Sequence, residues 1–313
     1  MGKTEAPYEG VVILGFPRSG TTLLRRLLNA HPALCCPPET NVLNACGRFL
    51  TAHEITRGMK LGPLAGLAYS GIEETDLLDR LRALAFGLFR DIRDRAGKAI
   101  WVEKSPFDIF HLDTVERICG ERCRYVCIVR HPLDVVCSTK ELCDEMEVFP
   151  YELHDYVRRY PAQLDAFAHA WADANTRLLG FAAAHHTGCV RVRYEDLVAD
   201  APTQLGRILA FLGQPTDTAA LVGRAMQSKD VVGLGDWKTY QKPAITGGSL
   251  ERWRQLSEPT LARLAPIVNA VAQQFGYAPI QVAAAADDEK ARRQHQLRMM
   301  VSKLKGDLTK PSN

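Results

Sequence analysis

The sequence predicts an α/β fold of three layers, in which a central parallel sheet is flanked by helices on both faces. Four short runs rich in β-branched and apolar residues have the length of buried strands. They lie at 11–14, 99–102, 125–129 and 190–192. Helical patterns separate them, at about 73–95, 132–143 and 155–183. Because strands that alternate with helices form parallel sheets, these elements predict a single sheet of this kind.

The first strand leads into a glycine-bearing loop and then into a helix. The apolar run 11–14 ends in Gly15-Phe-Pro-Arg-Ser-Gly-Thr-Thr22, and leucines at helical spacing follow at once. The helix is expected to end at His31-Pro32, because proline disfavours a helical residue before it. A strand, such a loop and a helix N-terminus together form a phosphate-binding arrangement.

This loop differs from a Walker A sequence at the position of its lysine. Walker A reads GxxxxGK[ST], whereas here Thr21 follows Gly20. A nucleotide triphosphatase is therefore disfavoured, although a P-loop kinase or nucleotide hydrolase stays as the alternative. The backbone N–H groups from Ser19 to Thr22 are still expected to bind an anion at the helix N-terminus, with Arg18 as a permanent cation beside them.

The remaining elements extend the fold towards the C-terminus. A helix is expected from Asp200-Ala-Pro onwards, and the glycine-rich stretch 227–249 is long enough to cover a site. Leu297, Met300, Val301 and Leu304 give the tail an apolar stripe. The sequence thus predicts one domain over 1–280 and a basic amphipathic helical tail over 281–313. The stripe is expected to dock on its own domain or, in a homodimer, on a second subunit, with contact to a membrane as the alternative.

Composition and charge exclude several classes of protein. The 313 residues are 46% hydrophobic and 24% charged, which suits an ordinary globular protein. Lys and Arg number 39 against 36 Asp and Glu, and the tail 281–313 holds 7 basic and 4 acidic residues, so the rest of the chain carries no net charge. A nucleic-acid partner bound through a broad basic surface is therefore not expected.

No run is apolar enough for a transmembrane segment, and no secretory signal opens the chain, which predicts a cytoplasmic protein. The nine cysteines lack ligand spacing, so no metal is expected.

Two motifs in order give the chain a resemblance to a known family. The loop Pro17–Thr22 after a strand resembles the 5′-phosphosulfate loop of sulfotransferases that use 3′-phosphoadenosine 5′-phosphosulfate (PAPS). Arg130 at a strand end, with Ser138 on the next helix, is similar to that family's 3′-phosphate site. Arg-Tyr-Glu-Asp-Leu at 193–197 is a third similar element. The resemblance implies a P-loop-containing fold with PAPS as sulfuryl donor and no required metal. It also implies that the donor is held by Arg18, Ser19, Gly20, Thr21, Thr22, Arg130 and Ser138.

Within this family, further segments resemble the tyrosylprotein sulfotransferases and their bacterial relatives. Pro-Glu39-Thr matches a motif whose glutamate is the catalytic base, and Trp-Val-Glu-Lys104-Ser-Pro matches a segment whose lysine approaches the transferred group. The resemblance thus implies Glu39, Arg18 and Lys104 as catalytic residues. Lys242 is implied to clamp the donor, Tyr194 is either a core aromatic or a donor contact, and Trp237 either stacks on adenine or packs its loop.

The acceptor and the base leave alternatives open. Glu39 could instead be a cap for the helix that begins near Asn41, and His31, His53 and His111 are rival bases. Segments 41–95 and 144–165 are expected to form the acceptor pocket. The favoured partner is a hydroxyl-bearing small-molecule or carrier-bound metabolite. Protein tyrosine O-sulfation and a noncatalytic nucleotide-binding protein are the alternatives.

Overall fold

Five short strands lie at the centre of the molecule, and a separate hairpin lies at its surface. The computed structural model describes residues 7–150, 152–227 and 244–282. The predictions for Lys242, for Trp237 and for the tail helix concern residues outside these ranges. The strands are β1 (Gly10–Leu14), β2 (Leu34–Cys35), β3 (His53–Thr56), β4 (Met59–Leu61), β5 (Ile100–Glu103), β6 (Cys123–Val129) and β7 (Cys189–Arg193).

Helices occupy most of the remaining described chain. Those of the first half are α1 (Thr21–Asn29), α2 (Val42–Leu50), α3 (Pro63–Ala68), α4 (Glu74–Arg95), α5 (Leu112–Ile118) and α6 (Pro132–Met146). Those of the second half are α7 (Leu153–Arg159), α8 (Gln163–Ala184), α9 (Tyr194–Ala199), α10 (Ala201–Phe211), α11 (Thr218–Gln227) and α12 (Glu258–Gln274). Short 3-10 helices lie at Pro106–His111, Gly120–Arg122 and Arg252–Gln255.

The described sheet has the order β2-β5-β1-β6-β7, and every strand pair in it is parallel. β1 is central, with Gly10 in register with both Trp101 and Cys123. The predicted three-layer α/β fold with a parallel sheet is therefore confirmed. All five strands end at the same edge, which is where ligands bind in open sheets of this type.

Alternating side chains of the sheet enter two separate cores. Val12 and Leu14 join one apolar cluster, and Val11 and Ile13 join the other. Helices α4, α5, α8 and α12 cover the first face, whereas α1, α10 and α11 cover the second. Because both faces are covered, the strands are continuous apolar runs.

Two local predictions were incomplete. The helix expected over 155–183 is interrupted: α7 ends at Arg159, Tyr160 is extended with φ −118° and ψ 111°, and α8 begins at Gln163. Pro161 accounts for the break, since it disfavours the helical conformation in the residue before it. The two-residue strand β2 was missed because two residues carry no periodic pattern. Among the described helices, none is long and apolar enough to cross a bilayer.

Candidate functional site

A cavity of about 350 Å³ opens at the carboxyl ends of the strands. Its walls include the loop after β1, Arg130 after β6, Tyr194 after β7, and Glu39, four residues beyond β2. The topology of the parallel sheet thus places residues from distant parts of the sequence around one space.

The loop after β1 is shaped by two residues with left-handed backbone. Arg18 has φ 70° and Gly20 has φ 92°. A Cβ atom on Gly20 would lie 2.2 Å from Cδ2 of Tyr194, so only glycine lets the loop approach this ring. Helix α1 begins directly afterwards, and the N–H groups of its first turn have no acceptor within the helix. They are available to an anion in the cavity.

Ser19 differs in part from its predicted role. Its N–H donates to the Phe16 carbonyl at 3.0 Å, which closes the turn, so the amides left for an anion are those of Gly20, Thr21 and Thr22. The Ser19 side chain is fully buried, and its Oγ has no partner among the described residues. Thr21 and Thr22 line the cavity.

The loop directly contacts the second predicted phosphate site. Arg18 Nε donates to Ser138 Oγ at 3.1 Å, and Arg130 Nη1 donates to the Arg18 carbonyl at 2.9 Å. Arg18, Arg130 and Ser138 all line the cavity. The two motifs, more than a hundred residues apart in sequence, therefore lie within reach of one ligand.

Arg130 is held on several sides while one of its donors stays unused. Its Cζ lies 4.8 Å from the centre of the Tyr194 ring, and Nη2 donates to the Ser249 carbonyl. Tyr194 Oη is 2.8 Å from Ser249 Oγ. Nε of Arg130 is buried and has no partner in the part of the chain that the structure describes. Sequence reasoning missed Ser249, since it lies in a stretch without periodic pattern.

Tyr194 is a core aromatic that also reaches the cavity. It is 8% exposed and belongs to the second apolar core, yet it also lines the cavity. Its ring therefore supports Gly20 on one side and Arg130 on the other.

Glu39 and Lys104 form a buried ion pair at the same edge of the sheet. Lys104 Nζ donates to Glu39 Oε1, while Glu39 Oε2 is buried without a partner among the described residues. Glu39 lines the cavity, whereas Lys104 is fully buried behind it. Burial lowers the pKa of the Lys104 ammonium, and the adjacent Glu39 carboxylate opposes this shift. In this conformation Lys104 contacts Glu39 and not the open cavity, which differs from the predicted approach to a transferred group.

Glu103 is a second buried carboxyl in this region, and no motif in the sequence singles it out. It ends β5 and accepts hydrogen bonds from Thr40 Oγ1 at 2.8 Å and from Ser105 Oγ at 2.5 Å. Burial raises its pKa to about 7, against the lowering effect of both hydroxyls and of Lys104. Thr40 Oγ1 also accepts from the Val42 N–H at 3.2 Å, so Thr40, rather than Glu39, makes the cap-like contact at the start of α2.

The three histidines proposed as rival bases lie away from the cavity wall. His31 Nδ1 accepts from the Ala33 N–H at 3.1 Å, and burial lowers its pKa. His53 is exposed on the hairpin, and His111 Nε2 lies 2.7 Å from Glu152 Oε1. His31, which is buried, and His111, which is partly buried, thus each have a structural partner.

Apolar side chains form much of the remaining wall. Leu142 and Met146 follow Ser138 on one face of α6, and Phe107 and Pro150 also line the cavity. The predicted acceptor segments contribute only in part, through Asn41, Met146 and Pro150. Helices α3 and α4 and the hairpin, although within 41–95, do not reach this wall.

Comparisons with known proteins agree with this arrangement. The chain matches the model of the sulfotransferase family over residues 10–218. It is 29% identical to the nodulation protein NoeE of Sinorhizobium fredii over 275 residues, which cover 83% of this chain and 62% of that protein. It is 24% identical to protein-tyrosine sulfotransferase A of Caenorhabditis elegans over 221 residues, which cover 71% and 54%. The chain therefore spans between about half and two thirds of these relatives.

Solved structures show the same fold. The sulfotransferase domain of the Synechococcus PCC 7002 olefin synthase is 25% identical with a TM-score of 0.61, covering 88% of this chain and 98% of that domain. The sulfotransferase domain from the curacin biosynthetic pathway has the same TM-score at 20% identity, covering 88% and 99%.

Proposed function

This chain belongs to the sulfotransferase family, and we propose that it transfers the sulfuryl group of PAPS to a hydroxyl of a small-molecule or carrier-bound metabolite. The observation that carries the proposal is the direct contact between the two anion-binding motifs in one cavity, through Arg18 with Ser138 and Arg130 with the Arg18 carbonyl. A donor with phosphate at two positions of one nucleoside needs two such sites at short range.

The residues present fit this donor. The first-turn amides of α1 and the Arg18 guanidinium suit the 5′-phosphosulfate, because helix N-termini and cations both favour negative charge. Arg130, whose buried Nε has no partner among the described residues, and the Ser138 hydroxyl suit the 3′-phosphate, since a guanidinium binds phosphate through parallel hydrogen bonds. An unsatisfied buried donor is costly, so a phosphate at this point would also relieve that cost.

Catalysis then depends on charge and position supplied by the chain itself. PAPS, when bound, supplies the sulfuryl group and an adenosine bisphosphate leaving group. Glu39 is proposed to take the acceptor proton at Oε2, the oxygen not occupied by Lys104. Lys104 is proposed to orient Glu39 through Oε1, and Arg18 to stabilise negative charge that develops at the transferred group. As the acceptor oxygen bonds to sulfur, the bond from sulfur to the phosphate oxygen breaks.

A metabolite acceptor is favoured over a polypeptide by the walls of the cavity. Phe107, Leu142 and Met146 give it an apolar lining, which suits a small apolar hydroxyl compound. Similarity to the olefin synthase domain supports the same choice. The similarity to protein-tyrosine sulfotransferase A keeps tyrosine as the second acceptor class.

The donor assignment predicts stabilisation by 3′-phosphoadenosine 5′-phosphate (PAP) without metal. At about 100 times its Kd, PAP should add about 2.7 kcal/mol to the free energy of unfolding, which raises the Tm by roughly 3–5 °C for a chain of this size. Differential scanning fluorimetry measures this shift in Tm, with EDTA present to remove metal ions. 5′-AMP, which lacks the 3′-phosphate, should give a smaller shift. Equal stabilisation by ATP with magnesium would instead favour a kinase or hydrolase.

The acceptor class is tested by direct transfer. Protein is incubated with sulfur-35-labelled PAPS and a panel of aliphatic alcohols, phenols, sugars and a tyrosine-containing peptide. Label on apolar hydroxyl compounds supports the proposal, whereas label on the peptide alone would favour tyrosine O-sulfation. Hydrolysis of ATP in place of any transfer would contradict both.

A further inference from the structure

Glu103 connects the end of β5 to the turn that carries Glu39. Its side chain is 1% exposed. Oε2 accepts the Thr40 hydroxyl at 2.8 Å, and Oε1 accepts the Ser105 hydroxyl at 2.5 Å. Ser105 Oγ in turn accepts the Asn41 N–H at 2.9 Å. The Glu103 carboxylate therefore holds the two residues that follow Glu39, Thr40 directly and Asn41 through Ser105.

The contacts follow one pattern along two short segments. Glu103 binds Thr40, Lys104 binds Glu39, and Ser105 binds Asn41. Each of residues 103–105 thus forms a hydrogen bond with one of residues 39–41. The turn needs such support, because Asn41 has φ 58°, a left-handed conformation that costs free energy in a residue other than glycine.

We infer that Glu103 is a positioning residue for Glu39, acting through the hydroxyls of Thr40 and Ser105. The inference rests on the proposed function, in which Glu39 is the base. A carboxylate suits this place because it only accepts hydrogen bonds, so both hydroxyls must point their protons at it. Their lone pairs are then free for the N–H groups of Val42 and Asn41, which fix the backbone on the C-terminal side of Glu39.

The charge of Glu103 matters to this arrangement. A protonated carboxyl would have to donate as well as accept, which conflicts with one of the two hydroxyls. Lys104 favours the charged form, whereas Glu39 opposes it. Among the described residues, Asp108, Cys36 and Cys119 also interact electrostatically with Glu103. Since the pKa of Glu103 is about 7, the ordered state of the turn should form as the pH rises through 7.

The experiment compares Thr40→Val, which removes the hydroxyl, with Thr40→Ser, which keeps it, alongside Glu103→Gln and Ser105→Ala. We expect Thr40→Val to lower kcat on the order of 10- to 100-fold, with PAP affinity within about twofold, because misplaced catalytic groups reduce turnover more than binding. Thr40→Ser should retain most of the turnover. In the wild type kcat should rise through pH 7, and Glu103→Gln should lose this step.

A second measurement needs no acceptor. Hydrogen exchange of a peptide covering residues 38–43 should be faster in Thr40→Val and Ser105→Ala than in the wild type and Thr40→Ser. The inference would be overturned if Thr40→Val and Thr40→Ser had the same rate of hydrogen exchange and the same kcat. Faster exchange in a protein that transfers no sulfuryl group from PAPS would overturn the proposed function, and with it the assignment of Glu39 as the base that Glu103 positions.

Discussion

Glu39→Gln is expected to lower kcat for sulfuryl transfer by about 10²–10⁴-fold, the usual contribution of a general base. The amide keeps the size of the side chain and can still accept from Lys104 through its oxygen. It cannot take a proton from the acceptor. Loss of the Glu39 carboxylate removes the ion-pair partner of the buried Lys104, and the pKa of Lys104, already lowered by burial, should fall further. Lys104 can then lose its proton, so the fold should persist.

The matched control for this variant is Glu141→Gln. Glu141 also lines the cavity and pairs with a cation, Arg252, at 2.8 Å. It therefore reports what removal of one carboxylate charge from the cavity does by itself, and its kcat should stay within about tenfold of the wild type. Steady-state kinetics with labelled PAPS and the PAP-induced Tm shift are measured for both. If Glu39→Gln turns over as fast as Glu141→Gln, another group is the base.

The residues proposed to bind the donor could be placed from the sequence because they are close to strand ends. A short apolar run marks a buried strand, and the residue after it lies at the edge where all parallel strands end. Arg130 and Tyr194 could be placed in this way, and so could the loop from Gly15 to Thr22. Their proximity then follows from the sheet order, with β1 between β5 and β6.

The other features of the site, namely the contacts of Lys104, Ser249 and Glu103, depend on long-range contacts that no local sequence pattern encodes. The contacts of Lys104 differ from the expected approach to the cavity because the side chain is fully buried and pairs with Glu39, and burial of this kind is decided by packing from several elements. Ser249 and Glu103 were missed for the same reason: their partners, Arg130 and Thr40, are more than sixty residues away. Periodicity describes one segment at a time and cannot pair side chains across the fold.

Arg130→Ala is expected to weaken PAP binding by about 2–5 kcal/mol, which is roughly 30-fold to several-thousand-fold in Kd. The reason is that Arg130 is 4% exposed, so its guanidinium meets a phosphate where water screens little. Truncation also removes the bonds to the carbonyls of Arg18 and Ser249. The Tm of the free protein should therefore fall as well, and Kd has to be measured by calorimetry well below that temperature.

Comparison of two nucleotides separates phosphate binding from general damage to the cavity. PAP and 5′-AMP differ only by the 3′-phosphate. If Arg130 binds that group, Arg130→Ala should reduce the affinity for PAP to about that for 5′-AMP, while the affinity for 5′-AMP changes little. A variant that loses affinity for both nucleotides equally would place the role of Arg130 in supporting the loop through the Arg18 carbonyl.

Arg193→Ala is the control that the chain itself offers. Arg193 is the last residue of β7, the strand next to β6. Its Cζ lies 4.3 Å from the centre of the Tyr277 ring, and its Nη1 donates to the Gly276 carbonyl at 3.4 Å. Like Arg130, it therefore contacts a tyrosine ring and a backbone carbonyl. It lies outside the cavity wall that holds Arg130. Its removal should lower stability without changing the ratio of the two nucleotide affinities. Only an arginine that binds the 3′-phosphate changes that ratio, so the pair of variants separates phosphate binding from the loss of an arginine at the end of a strand.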